Sequence, residues 1–356
     1  MSDYKETQKA IFVDKTLDLL EELPEFCGAF YDKKQLRLAP KTQYDYATKM
    51  KMFLHFLKEN YEQLDGIAIR DITPTDLKWV DSQIVANFIT YIRSRTARSN
   101  SIAKNKVSTA DNYIACVSAY FSFLVKQKQL TENPFLGIDR EKKKQKKIVY
   151  IEEKDQGNFL NTVTTGHGLS TRKKVFYDKT QMRDICMVQL LMDTGIRLSE
   201  LVGLDITDVD LDGYALHVQR KSDKAGTVYF SGETKEILEE YLITREDFEP
   251  NPNEKALFLS SVGKNRGYRI SGRTIERRVK EFALAAGIPN AAQITPHKLR
   301  STYAMDMLRY TGSLALVQAQ LGHEHISTTQ IYAQSEETKK YEAREVRSKN
   351  IPHNSL

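Results

Sequence analysis

The chain has 356 residues, 40% hydrophobic and 28% charged, which suits two globular domains, each with a core of its own. No apolar run reaches the roughly 18 residues of a membrane helix, and the opening MSDYKETQKAIFVDK has no signal-peptide core or cleavage site, so a cytoplasmic protein with no membrane partner is expected. The net charge of +6 favours a polyanionic partner, and Cys27, Cys116 and Cys186 lie far apart in apolar surroundings, as reduced core thiols do.

In chain order, residues 4–31 read as helical, interrupted at Pro24. PKTQYDYATKMKMFLHFLKENY repeats apolar residues at helical spacing through Tyr46, Met50, Phe53 and Leu57, leaving Lys41, Thr42, Lys49 and Lys51 as candidates to meet phosphates. DSQIVANFITYIRS predicts a third helix capped by Asp81. In STADNYIACVSAYFSFLVKQKQ, Ser108 or Thr109 is expected to cap a fourth, with Tyr113, Val117, Tyr120 and Leu124 on its apolar face. The first domain is therefore expected to be all-α. Arg93, Arg95, Arg98, Lys104 and Lys106 crowd one serine-rich stretch, and Arg140, Lys142, Lys143, Lys144, Lys146 and Lys147 crowd another. Both clusters suit phosphates, though solvated loops are the plainer reading. DREKKKQKK, residues 139–147, has almost nothing that could enter a core, and is expected to link the domains.

Downstream, residues 181–193 predict a buried helix stopped by Gly195, followed by a second helix from about Ser199. YALHVQR and TVYFS, joined by KSDKAG, alternate as a β-hairpin does. Helices are expected again at 233–245, 273–286, 296–309, 313–321 and about 327–343.

Several of these segments carry residues suited to chemistry. In TPHKLRSTYAMDML, Thr295 suits a helix cap and Pro296 its first position, which puts His297 in the first turn and Arg300 three residues on. A helix N-terminus attracts anions, an arginine fork holds two phosphate oxygens, and a histidine can donate a third bond. A surface histidine and a solvated arginine are the plainer alternative. Arg197, in the turn after Gly195, either points into a cleft or caps a helix C-terminus; Lys221 either reaches into a groove or keeps a turn soluble. Gly322 reads as a left-handed helix stop before His323, and Ser327 or Thr328 suits the cap of the helix carrying Tyr332. His323-x-His325 lacks partners at ligand spacing, so no metal is expected, and neither a P-loop nor a dinucleotide fingerprint is present.

Taken in order, TGIRLSELVGL with Arg197, the hairpin Lys221, TPHKLRSTYAMDML with His297 and Arg300, and LGHEHISTTQIY with His323 and Tyr332 resemble the tyrosine recombinase family, over roughly residues 40–335. The resemblance implies a SAM-like helical core-binding domain and a mostly α catalytic domain with a small antiparallel sheet. It makes Tyr332 the nucleophile, Arg197 and Arg300 the clamp on the scissile phosphate, and Lys221 the general acid. His297 and His323 would bond the phosphate or assist proton transfer, and Glu200 would orient the site. Two guanidiniums beside the phosphorus favour both a phenolate and the pentacoordinate charge, so no metal, cofactor or ATP is implied.

The resulting division is a helical extension at 1–38, a core-type DNA-binding domain at 39–138, a basic linker at 139–150, a catalytic domain at 151–335 and a tail at 336–356 that docks on a neighbouring subunit. The implied partners are duplex DNA recombination sites, three further copies in a tetramer on synapsed DNA, and an accessory DNA-bending or directionality factor. The extension and an apparent insertion at 164–181 depart from compact relatives, and Ser301 follows Arg300 where a histidine or another residue is common in relatives. The leading expectation is an integrase or transposase of a mobile element. The alternatives are resolution of chromosome or plasmid dimers, then a type IB topoisomerase, a telomere resolvase or a catalytically dead DNA-binding regulator.

Overall fold

A computed structural model describes residues 3–34, 37–98, 106–138, 148–220 and 225–322; of Asp3 and of residues 95–98 and 106–109 it describes the backbone alone. The chain divides into two compact units between residues 144 and 145. Among the described residues no helix is long and apolar enough to cross a membrane.

The first unit is helical. It contains α1 (Asp3–Glu21), α2 (Glu25–Lys34), α3 (Pro40–Asn60), α4 (Ser82–Arg98) and α5 (Lys106–Lys126), with short 3-10 turns between α3 and α4. Pro24 separates α1 from α2, and the Asp81 carboxylate accepts the Ile84 N–H at 2.9 Å to open α4, both as the sequence predicts. The expected cap at Ser108 or Thr109 is overturned: α5 already runs at Lys106, so both residues lie inside the helix.

The apolar stripes of α3, α4 and α5 meet around Phe53, which is fully buried, with Phe88, Phe121 and Phe135 at ring-centroid distances of 4.9, 5.9 and 5.6 Å and edge-on angles. Such edge-to-face pairs each add about 0.5–1.5 kcal/mol to simple burial. Asn133 closes the unit. Its buried amide donates to the Ser118 carbonyl at 2.9 Å and the Ser122 hydroxyl at 2.8 Å, and its carbonyl oxygen accepts the Phe135 N–H at 3.0 Å. All three cysteines are buried free thiols, and burial pushes their pKa values up.

The second unit contains α6 (Glu153–Thr165), α7 (Thr171–Asp178), α8 (Gln181–Thr194), α9 (Leu198–Gly203), β1 (Val209–Asp210), β2 (Ala215–Gln219), β3 (Ala225–Tyr229), α10 (Gly232–Thr244), α11 (Gly272–Ala285), α12 (Pro296–Thr311) and α13 (Leu314–Leu321). Helix α8 is central and packs against α6, α10, α11 and α12. The sheet is antiparallel in the order β1-β2-β3, with Ala215 opposite Tyr229 and Gln219 opposite Ala225. Alternation on β2 turns Leu216 and Val218 inward and His217 to solvent.

The segment 164–181, marked out as an insertion, holds α7 and is anchored by Tyr177. That ring is buried against Phe282, and its hydroxyl donates to the Val163 carbonyl at 2.6 Å.

Below α7 lies a buried ion cluster. The Asp184 carboxylate, with no exposed surface, accepts from Arg183 at 2.8 Å, Arg278 at 2.7 Å and the Thr180 hydroxyl at 2.9 Å. Arg183 also donates to the Leu259 carbonyl at 2.8 Å. A buried carboxylate is tolerable only with this degree of pairing. The cluster fixes α8 against α11, and so fixes the turn that α8 leads into.

Candidate active site

Helix α8 ends on Gly195, whose φ of +61° suits glycine, and a Cβ there would run into the Tyr303 ring. The chain then buries Ile196 and opens α9 with Arg197 at the N-cap. Leu198, the first residue of α9, is partly buried. An arginine is out of place at that end, where the helix dipole repels cations and Ser, Thr, Asp or Asn is the usual cap. Glu200 offsets the mismatch: its buried carboxylate accepts the Arg197 backbone N–H at 2.8 Å and the guanidinium at 2.7 Å. The Arg197 side chain keeps 34% of its surface exposed, so the guanidinium is fixed on one side and open on the other.

The other end of α9 is held as firmly. Arg269 donates to the carbonyls of Val202 at 2.8 Å and Leu204 at 2.9 Å, and pairs with Asp205.

Helix α12 begins at Pro296 after Thr295, as expected, but the Thr295 hydroxyl makes no capping bond. Its backbone carbonyl instead accepts the N–H groups of Lys298 at 2.7 Å and Leu299 at 3.1 Å. Arg300 points inward and is almost fully buried. It donates to the Gly195 carbonyl, two residues before Arg197, and to the Leu321 carbonyl at 2.5 Å. One guanidinium therefore ties α12 to the turn carrying Arg197 and to the end of α13. His297 is exposed as a residue, yet surrounding protein desolvates its ring, and this, with the charges of Lys298, Arg300 and Arg197, holds its pKa below the ordinary 6.5. The imidazole is thus neutral near pH 7, with a proton to donate.

Helix α13 stops at Gly322 in the left-handed conformation, with φ of +59°. His323 follows directly in the sequence. His323, Tyr332, Lys221 and Lys224 lie outside the described residues.

The structure accordingly brings together Arg197, Glu200, His297 and Arg300, which are separated by about a hundred residues in sequence. Cations outnumber the single carboxylate, so the cluster suits an anion with several oxygens. Sequence reasoning missed two neighbours. Tyr303 packs on Gly195, and burial and the nearby Asp193 charge raise its pKa. Arg220 reaches the Gln320 carbonyl at 3.4 Å, and only its position beside Lys221 could have drawn notice.

The candidate DNA contacts fare differently. Lys41 is exposed and Thr42 half-buried; Lys51 pairs with Glu22 at 2.7 Å, and Lys49 lies beside Cys116 with its ammonium 5.9 Å from the Tyr113 ring centroid. Arg93 is half-buried on α4. The side chains of Arg95, Arg98 and Lys106, and the whole of Lys104, Lys143, Lys144, Lys146 and Lys147, lie outside the described residues.

Residues 162–339 match the model of the phage integrase family. The chain is 32% identical over 280 residues to tyrosine recombinase XerC of Vibrio parahaemolyticus, covering 78% of this chain and 82% of that protein. Among solved structures it resembles the XerH site-specific recombinase in a post-cleavage complex with palindromic difH substrate, with a TM-score of 0.64, 20% identity, and coverage of 89% of this chain and 82% of that one. It also resembles a lambda integrase tetramer bound to a Holliday junction, with a TM-score of 0.58, 15% identity, and coverage of 86% and 76%. At these identities the two structural likenesses speak for the fold.

Proposed function

Because the chain belongs to the phage integrase family and is a tyrosine recombinase, we propose that it exchanges strands between paired copies of a specific DNA site, as in the resolution of chromosome or plasmid dimers. The observation that carries this reading is the likeness to XerC over most of both chains, together with the convergence of Arg197, His297 and Arg300 on one anion-binding corner. It favours dimer resolution over the mobile-element integrase that the sequence first suggested. The remaining alternatives, a topoisomerase, a telomere resolvase or a dead-site regulator, gain no support from these relatives.

In the proposed mechanism Arg197 and Arg300 hold the non-bridging oxygens of the scissile phosphate, and neutral His297 donates a further bond. The Tyr332 phenol oxygen attacks phosphorus as its proton passes to the unprotonated ring nitrogen of neutral His297. The bond from phosphorus to the 5′ oxygen breaks, and Lys221 protonates the departing alkoxide. The product is a 3′-phosphotyrosyl ester and a free 5′ hydroxyl. A 5′ hydroxyl from the partner duplex then attacks that ester and releases Tyr332. The ester keeps the energy of the original phosphodiester, so the reaction needs no other fuel. His323 assists at the phosphate.

Residues 39–138 serve as the DNA-binding domain, and the basic run with Lys143, Lys144, Lys146 and Lys147 lies along phosphates, as do Lys41 and the cluster from Arg93 to Lys106. Lys49 and Lys51 are weaker candidates, given their partners within the fold. Four copies assemble on two sites in the cytoplasm, with the tail 336–356 docked on the neighbouring subunit and an accessory DNA-bending or directionality factor acting where direction must be set.

Covalent capture of the protein on DNA from its own host, followed by sequencing of the bound fragments, identifies the site. A plasmid with two direct copies should then be converted into two circles. Joining of a circle to a second, different site, without resolution of the direct repeat, would support the mobile-element reading instead.

A further inference from the structure

Two arginines from distant parts of the chain meet at the last turn of α13. Arg300 reaches the Leu321 carbonyl from α12, and Arg220 reaches the Gln320 carbonyl from the end of β2. The last carbonyls of a helix lack partners within it and carry the negative end of its dipole, so both guanidiniums are well matched there.

Two glycines leave Arg220 its path. A Cβ on Gly226, in the facing strand, would stand 2.6 Å from the Arg220 Nε, and a Cβ on Gly322 would collide with the guanidinium itself. Gly322 also serves its left-handed stop, whereas Gly226 sits in β3 opposite Val218, where a glycine weakens a strand. A glycine in a strand often marks the close approach of another group, and Arg220 is that group here.

We propose that Arg220 is a positioning residue. It fastens the root of the β2–β3 hairpin to the end of α13, so that the segments leading in sequence to Lys221 and to His323 and Tyr332 start from one fixed place. A proton donor must come within hydrogen-bond reach of the leaving oxygen, and two short strands alone hold a hairpin tip poorly. The inference rests on the reading of Lys221 as the general acid.

The test uses the full chain and a nicked duplex carrying the captured site, made with either ordinary oxygen or sulfur at the 5′-bridging position of the scissile phosphate. Thiolate leaves without a proton, so sulfur removes the need for the acid. Arg220→Ala should form covalent complex at least about tenfold more slowly on the oxygen substrate, a part of the factor of about 10²–10⁴ that a general acid supplies, and recover most of that loss on sulfur. Gly226→Val, which displaces the guanidinium while keeping Arg220, should show the same selective recovery, and Arg220→Lys a smaller loss. Half-site binding should be unchanged in all three. Equal slowing on both substrates would make Arg220 a fold residue only, and no slowing would deny it any role; either overturns the proposal. Lys221→Ala is run alongside. If sulfur rescues it but not the Arg220 and Gly226 variants, only the positioning fails; if sulfur does not rescue it, the assignment of the acid fails.

Discussion

The Glu200 carboxylate holds Arg197 twice, by its backbone N–H at 2.8 Å and by its guanidinium at 2.7 Å. The first bond starts α9, and the second sets the direction of a cation at a helix end that disfavours it. In Glu200→Ala the guanidinium should lose its fixed orientation, and a misplacement of about 1 Å can cost about 10²-fold in rate. Covalent-complex formation should fall by about that factor while half-site affinity changes little. An unchanged cleavage rate would show that DNA alone orients Arg197.

Asp184 offers a test of the scaffold. Two buried arginines, Arg183 and Arg278, share this one buried carboxylate. Asp184→Ala leaves both charges without it, and breaking a buried pair by removing one partner costs about 3–5 kcal/mol. Denaturant unfolding monitored on the second unit should show a loss of that size, with Arg278→Ala smaller because Arg183 would still pair with Asp184. A loss under about 1 kcal/mol would mean that water replaces the carboxylate.

Much of this was legible in advance, and the reasons are specific. The long helices announce themselves because Met50, Phe53 and Leu57, or Val117, Tyr120 and Leu124, recur at the helical period and form one core. Gly195 and Gly322 were readable as stops because a left-handed residue is usually glycine. Arg197 stands beside such a stop, and His297 and Arg300 follow the Thr295–Pro296 helix start, so local signals single out all three. What escaped depends on partners far along the chain. Nothing near Lys51 points to Glu22, nothing near Arg220 points to Gln320, and nothing near Asp184 points to Arg278. The two-residue strand β1 is too short to show a period. The start of α5 was misplaced because Ser108 and Thr109 look like caps, while the helix begins upstream.

The depressed pKa of His297 has a definite sign. In the unfolded chain the imidazole takes up a proton near 6.5, while in the folded chain desolvation and the cations of Lys298, Arg300 and Arg197 oppose it. Between the two pKa values the unfolded state binds more protons, so stability falls as pH drops below about 6.5 and levels off once the folded pKa is passed. An NMR titration of the free protein should place the His297 midpoint below 6.5, and half-site DNA should move it upward, because a phosphate favours the imidazolium. His297→Gln should flatten the stability profile over the same window. A free-protein midpoint at or above 6.5 would contradict the crowded cationic setting.

The central claim is that Tyr332 is the nucleophile served by the corner that Arg197, His297 and Arg300 form, and trapping on a nicked suicide substrate tests it most directly. The wild-type chain should become joined to the 3′ phosphate and migrate as a covalent band whose DNA-linked peptide contains Tyr332. Tyr332→Phe keeps the ring and loses the attacking oxygen, so it should bind the same DNA with similar affinity and give no band. A covalent band that persists in Tyr332→Phe, with the DNA on another residue such as Tyr341, would contradict the account.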